Sequence, residues 1–309
     1  MKQLLVYMKG YAKESVLGPL FKLLEASFEL LVPLVMAAII DTGVAGADRG
    51  YILRMGGVLL LLGLVGLAAA ITAQYFSAKA AVGFAGRLRH ALFEKIESLS
   101  YTQLDTLGTS TMMTRMTSDI NQVQTGVNLT LRLLLRSPFI VFGAMIMAFT
   151  IDAKSALLFV AVIPLLALVV FGTMLYTIPQ YRRVQAELDS VLGKTRETLT
   201  GARVLRAFAR EDSEISAFQE KNAALARMQR FVGRISALMN PLTYAIINLA
   251  VLALLRTGAV QVDAGRITQG ELVALVNYMS QILVELVKLA NLIITLTRAL
   301  ASANRVSAV

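Results

Sequence analysis

The stretch ILRMGGVLLLLGLVGLAAAITAQYFSAKAAVGFAGRLRHALFEKIESL, residues 52–99, decides how the rest of the chain is read. Its first half is apolar enough for a bilayer. Its second half becomes charged without meeting a proline. A helix running through both halves is about 72 Å long at 1.5 Å per residue. The hydrocarbon core of a membrane is only about 30 Å thick. Such a rod crosses the bilayer and projects far into water on one side.

Six stretches reach the roughly 20 apolar residues that a spanning helix needs: 16–40, 53–76, 130–151, 155–178, 236–260 and 272–297. The third and fourth are separated only by Asp152, Ala153 and Lys154, which predicts a tight hairpin. Most other links are short, but those over about 77–129 and 179–235 each run past fifty residues. All six prolines (Pro19, Pro33, Pro138, Pro164, Pro179 and Pro241) sit in or beside the apolar stretches, so both long links read as continuations of their flanking helices. The expected fold is an all-α membrane protein, with six transmembrane helices over 15–309 and two long cytoplasmic helical hairpins. The hairpins hold equivalent places in the two halves, a hint of internal repetition. Residues 1–14 are basic and amphipathic, and read as an interfacial helix on the membrane surface or as a disordered tail.

Composition agrees. The chain of 309 residues is 56% hydrophobic and 16% charged, against about 25% charged for a soluble domain. With no cysteine and one histidine, His90, it offers no disulfide, no thiolate metal site and no Ser-His-Asp triad; we expect no metal and no catalytic residue. A net charge of +10 raises nucleic acid as a partner, but the positions of the charges argue otherwise. The N-terminus, the two hairpins and the C-terminal tail hold 22 lysines and arginines, and the opposite side holds five: Arg49, Arg54, Lys154, Arg256 and Arg266. The basic surplus therefore reports orientation, with both termini and both hairpins in the cytoplasm, and no nucleic acid is expected.

Ionisable groups inside a bilayer usually face a cavity or one another. In the first segment Lys22, Glu25 and Glu29 share a face. In the sixth, Asn277, Gln281, Glu285, Lys288, Asn291, Thr295 and Arg298 form one polar stripe opposite apolar residues. Two readings stand for this stripe. It lines a water-accessible substrate path, or Glu285 and Lys288 neutralise each other and hold helices together. Asn240 beside Pro241 adds a kink with a polar neighbour to the fifth segment. Arg136, just before Pro138, lines the path or snorkels to the interface. Asp41 closes an external gate or caps a helix end. Gly193-Lys194-Thr195 imitates the end of a phosphate-binding loop, but Leu188 stands where the first glycine is required, and no strand precedes it. The chain has no ATP site of its own.

The far ends of the hairpins carry apolar anchors amid charge: Met112 and Met113 in one, and Val204, Leu205 and Phe208 in the other. They suit docking to another domain, or are simply solvated helix ends. Here the sequence resembles the transmembrane domain of ATP-binding-cassette (ABC) exporters with the type I exporter fold. The matching residues are Thr114, Arg115, Met116, Thr117, Ser118 and Asp119 in the first hairpin. In the second they are Gly201, Val204, Arg206, Ala207, Phe208, Glu211, Phe218 and Asn222. Residues 301–306 look like that family's run into its nucleotide-binding domain, so the likeness covers essentially the whole chain. It is most similar to one half of the heterodimeric bacterial multidrug exporters.

The resemblance implies a second half-transporter, as a hetero- or homodimer, that completes the passage within the bacterial inner (plasma) membrane. It implies coupling helices near 102–112 and 206–216, carrying Leu104, Asp105, Thr109, Arg115 and Asp119 in one and Arg206, Ala207, Phe208 and Glu211 in the other. These would dock on nucleotide-binding domains and convert ATP binding into alternating access. Ser110 stands where the family usually has glycine, which puts the first turn in question. The nucleotide-binding domain, where ATP and Mg²⁺ are expected, is absent from these residues and would be lost by truncation or carried on a separate chain. The chain is thus expected to hold no cofactor itself, and to act as the membrane part of an ATP-hydrolysing translocase. Cargo would be amphipathic or hydrophobic small molecules, since 13 Met and 13 Phe favour adaptable contacts. The alternatives are lipid or peptide cargo on the same fold, or a receptor or scaffold whose hairpins bind a signalling partner. A polar sixth helix counts against the last.

Overall fold

A computed structural model describes residues 4–309, apart from the side chain of Leu5. Residues 1–3 of the expected interfacial helix lie outside the described residues. Every regular element described is helical, and six helical stretches are long and apolar enough to cross a membrane. Helix α1 (Ala12–Ala38) follows a 3₁₀ segment, Leu4–Tyr11, and ends in a wider π turn, Ile39–Val44. Helix α2 (Arg49–Glu97) is 49 residues long, about 74 Å, so the reading of residues 52–99 as one rod holds. Asp48 starts it by accepting from the Tyr51 amide at 3.0 Å.

The first hairpin turns through α3 (Tyr101–Leu107) and α4 (Thr109–Thr114). Ser100 and Gln103 form a capping box at the start of α3, and Gly108 between the two helices has φ 74°. That is a left-handed conformation which glycine adopts without steric cost. A π turn, Arg115–Asp119, leads into α5 (Ile120–Leu133) and then α6 (Arg136–Ile151). The third span, expected as one helix over 130–151, is therefore broken at residues 134–135. Pro138 explains the break. It has no N–H for the Leu134 carbonyl and its ring would clash there, but it is tolerated in the first turn of a new helix.

Helices α7 (Ala153–Thr200), α8 (Ala202–Ala207), α9 (Glu211–Asp263) and α10 (Gln269–Ser307) complete the chain. At 48 and 53 residues, α7 and α9 also exceed what a bilayer needs. Thr268 and Glu271 form a capping box at the start of α10.

The helices fall into two compact units, one of residues up to Ile163 with Leu249–Val309, the other Pro164–Asn248. In the first unit, a core of Phe84, Leu88, Ile120, Val123, Ala303 and Val306 joins the projecting part of α2 to α5 and the end of α10, with Leu4 packed in. Gly126 allows the close approach there, because a Cβ would strike Ala299. The N-terminal segment is fastened to α2. Its Tyr11 ring lies against Gly83 and under the Arg87 guanidinium, 4.9 Å from the ring centroid. Glu14 pairs with Lys79 at 3.0 Å. In the second unit, Lys194 on α7 pairs with Glu214 on α9 at 2.6 Å.

Candidate functional site

The apolar spans of the first unit enclose a cluster of charged side chains drawn from three helices. Arg136 opens α6, immediately after the break set by Pro138. One guanidinium nitrogen, Nη1, donates to Glu285 Oε1 on α10 at 2.6 Å, and the other, Nη2, to Glu29 Oε2 on α1 at 2.5 Å. Ser137 donates to Glu285 Oε2 at 2.8 Å, and Lys288 donates to Glu285 Oε1 at 2.7 Å. The central pair is buried, with side-chain exposure of 7% for Arg136 and 3% for Glu285. The two flanking groups are not, at 39% for Glu29 and 41% for Lys288. Arg136 thus does not snorkel to an interface. Burial of an unpaired guanidinium would cost several kcal/mol, and two carboxylates from other helices hold it inside. Glu285 and Lys288 neutralise each other, as one reading of the α10 stripe expects, and both also line a cavity.

That cavity is an open cleft of about 400 Å³ between α1 and α10. Glu29, Asn277, Gln281, Glu285 and Lys288 line it, as does Ser280. Val32, Pro33, Met36 and Val284 supply its apolar wall. Pro33 cannot donate to the Glu29 carbonyl, which opens the backbone of α1 at this level. One residue along, the fully buried Tyr278 donates to the Leu30 carbonyl at 2.6 Å.

Other expected site residues lie elsewhere. Glu25 pairs with Lys22 one turn away, at 2.5 Å. Asn291 is exposed and lies outside the cleft lining. Asn240 is exposed and belongs to the second unit. Asp41 reaches across to α10, accepting from the Thr268 hydroxyl at 2.5 Å and the Gly270 amide at 2.7 Å. A Cβ on Gly270 would meet Asp41 and the Ala37 backbone, so glycine permits this approach.

At the hairpin ends, Leu104 and Asp105 lie on α3 and Thr109 opens α4. Arg115 and Asp119 do not sit on a coupling helix; they bound the π turn beyond it. Asp119 is buried and holds Arg305 near the end of α10, with Nε at 3.0 Å and Nη2 at 2.5 Å. In the second hairpin the short helix is Ala202–Ala207, not 206–216, because a turn at 208–210 with Ala209 at φ 48° interrupts the chain. Arg206 and Ala207 close α8, Glu211 opens α9, and Phe208 between them is 74% exposed.

Sequence reasoning missed Ser137 and Tyr278 and misjudged Arg136. A count would have pointed to Arg136. Away from the segment ends, Lys22, Arg136 and Lys288 match Glu25, Glu29 and Glu285 in number, and charges in lipid seek such partners.

A family model for the ABC transporter transmembrane region matches residues 15–286, and the chain belongs to that family. It is the transmembrane domain of an ABC exporter, which sets the receptor reading aside. The chain is 33% identical over 305 residues to an uncharacterised ABC transporter ATP-binding protein of Mycobacterium bovis, covering 98% of this chain and 52% of the relative. An uncharacterised ABC transporter ATP-binding protein of Bacillus subtilis is 28% identical over 309 residues, 100% of this chain and 54% of the relative. An ATP-dependent lipid A-core flippase of Syntrophus aciditrophicus is 26% identical over 221 residues, 71% of this chain and 36% of the flippase. The chain spans about half the length of the first two.

The residues present do not fit the nucleotide that this family's name implies. Gly193, Lys194 and Thr195 lie inside α7, where the backbone amides serve the helix and none is free to cradle a phosphate. Lys194 is already paired with Glu214 and, at 3.6 Å, with Glu197.

Proposed function

We propose that this chain is the membrane half of an ATP-driven exporter that moves amphipathic or hydrophobic small molecules out of the cytoplasm by alternating access. The observation that carries the reading is the cleft between α1 and α10, lined by apolar residues together with an internally neutralised ion cluster. Such a surface takes a molecule that is apolar over most of its area and polar at one end. A second half-transporter would complete the passage, and nucleotide-binding domains outside these 309 residues would hold ATP and Mg²⁺. The distribution of lysine and arginine supports cytoplasmic termini, and the likeness to bacterial relatives supports a bacterial inner-membrane placement. The exposed short helices α3 and α8, with Phe208, are the surfaces offered to the nucleotide-binding domains. An external gate at Asp41 would open by releasing the first turn of α10. A lipid cargo is the second reading, favoured by the likeness to a protein named as a lipid flippase.

The test is reconstitution of the full-length gene product, with any partner encoded beside it, into proteoliposomes. Amphipathic compounds should stimulate ATP hydrolysis and accumulate across the membrane. Phe208→Ala should keep hydrolysis while losing transport. Hydrolysis indifferent to every amphiphile, or a Phe208→Ala protein that transports normally, would refute the reading.

A further inference from the structure

The ion cluster has a centre and two arms, and the arms are built differently from the centre. Arg136 and Glu285 neutralise each other in near-complete burial. Without Lys288, Glu285 would still accept from Arg136 on Oε1 and from Ser137 on Oε2. Without Glu29, Arg136 would still donate to Glu285. Each buried charge therefore keeps an oppositely charged partner when either arm is engaged elsewhere. Both arms are about two-fifths exposed, and both line the cleft.

The arms carry opposite charges. Glu29 presents a carboxylate for which Arg136 is the one partner among the described residues. Lys288 presents an ammonium group with three donors, one of which is spent on Glu285. In the same cleft, Gln281 Oε1 is buried without a hydrogen-bond partner among the described residues, an acceptor left for a donor that enters from outside. A ligand that is only cationic leaves Lys288 unused, and one that is only anionic makes no contact with Glu29. Val32, Pro33, Met36 and Val284 offer an apolar wall to the rest of the molecule.

We infer that the cleft recognises zwitterionic amphiphiles, molecules with an ammonium and an acidic group at one end of an apolar body. Glu29 and Gln281 take the ammonium, Lys288 takes the phosphate or carboxylate, and the Arg136–Glu285 pair stays closed as a neutral floor. This inference rests on the export reading above and narrows its substrate class.

The test uses the full-length transporter in maltoside micelles and three probes with the same decyl tail. Their heads are phosphoethanolamine, primary ammonium and phosphate, and each is titrated below its micelle concentration by equilibrium dialysis. The zwitterionic probe should bind about tenfold tighter than either singly charged probe, the effect of one added charge-assisted hydrogen bond. Glu29→Gln should weaken the zwitterion and the cation about tenfold and leave the phosphate unchanged; Lys288→Gln should weaken the zwitterion and the phosphate and leave the cation. Equal binding of the three probes by the unaltered protein would overturn the inference, and so would variants that weaken all three alike. The two readings separate cleanly. ATP hydrolysis stimulated equally by all three heads keeps export and sinks the zwitterion. Head-selective binding with no stimulated hydrolysis keeps the zwitterion and sinks export.

Discussion

The Arg136–Glu285 pair inside the span and the Asp119–Arg305 pair near the end of α10 join the same helix, α10, to its neighbours, yet they are constructed on different terms. The first closes both partners away from water and adds a hydroxyl, a lysine and a second carboxylate around them, leaving only Arg136 Nε without a partner among the described residues. The second is a two-pronged pair with Asp119 buried and Arg305 54% exposed, so water shares the work. A charge sealed in an apolar setting is costly when its partner is removed, whereas a charge at a wet edge is screened. The lesson is that an ion pair is worth what its surroundings withhold.

Substitutions that remove one partner measure this difference. The largest effect belongs to Arg136→Met, which strands Glu285. It should destabilise the protein by about 3–5 kcal/mol, read as a lower midpoint of thermal unfolding in detergent. The double variant Arg136→Met with Glu285→Met should recover more than half of that loss, because no buried charge is left alone. A double variant as unstable as the single one would mean that packing, not charge, holds the site. Asp119→Asn should cost less, about 1–2 kcal/mol, because Arg305 turns to water when released. Equal losses at Asp119 and Arg136 would erase the contrast. Asp41→Ala removes the acceptor for the Gly270 amide at the start of α10 and should cost about 1 kcal/mol. Lys194→Ala, on the partly buried pair with Glu214, should lower the unfolding midpoint least of all.

Most of the architecture was legible because it follows from apolar length and the absence of breakers. The rod of α2 and the excess length of α7 and α9 needed only a count of residues. The break at 134–135 was visible as Pro138 but was read as continuous, since hydropathy does not register a missing N–H. The site was half legible. The α10 stripe announces itself by spacing within one segment, so Asn277, Gln281, Glu285 and Lys288 were found. The cross-helix partner of Glu285 was not, because Arg136 lies 149 residues from it along the chain and no local pattern links them. Tyr278 was missed for the opposite reason. Beside Asn277 it looks like ordinary core, and its value lies in a hydrogen bond to the Leu30 carbonyl on another helix. The turn at 208–210 shows the same limit, because a single residue at positive φ leaves no periodic trace.

The interruption before α6 also sets an angle. Each residue of an α-helix turns the chain by about 100°, so a helix allowed to run unbroken from α5 into α6 would present a different compass bearing at every later position. Arg136 stands two residues before the proline that forces the restart, where its heading is decided afresh. A substitution at Pro138 that let the two pieces fuse would leave composition and hydropathy almost untouched, yet swing the guanidinium off the line joining its two carboxylates. The heading of the buried guanidinium is thus set by a neighbour that bears no charge at all.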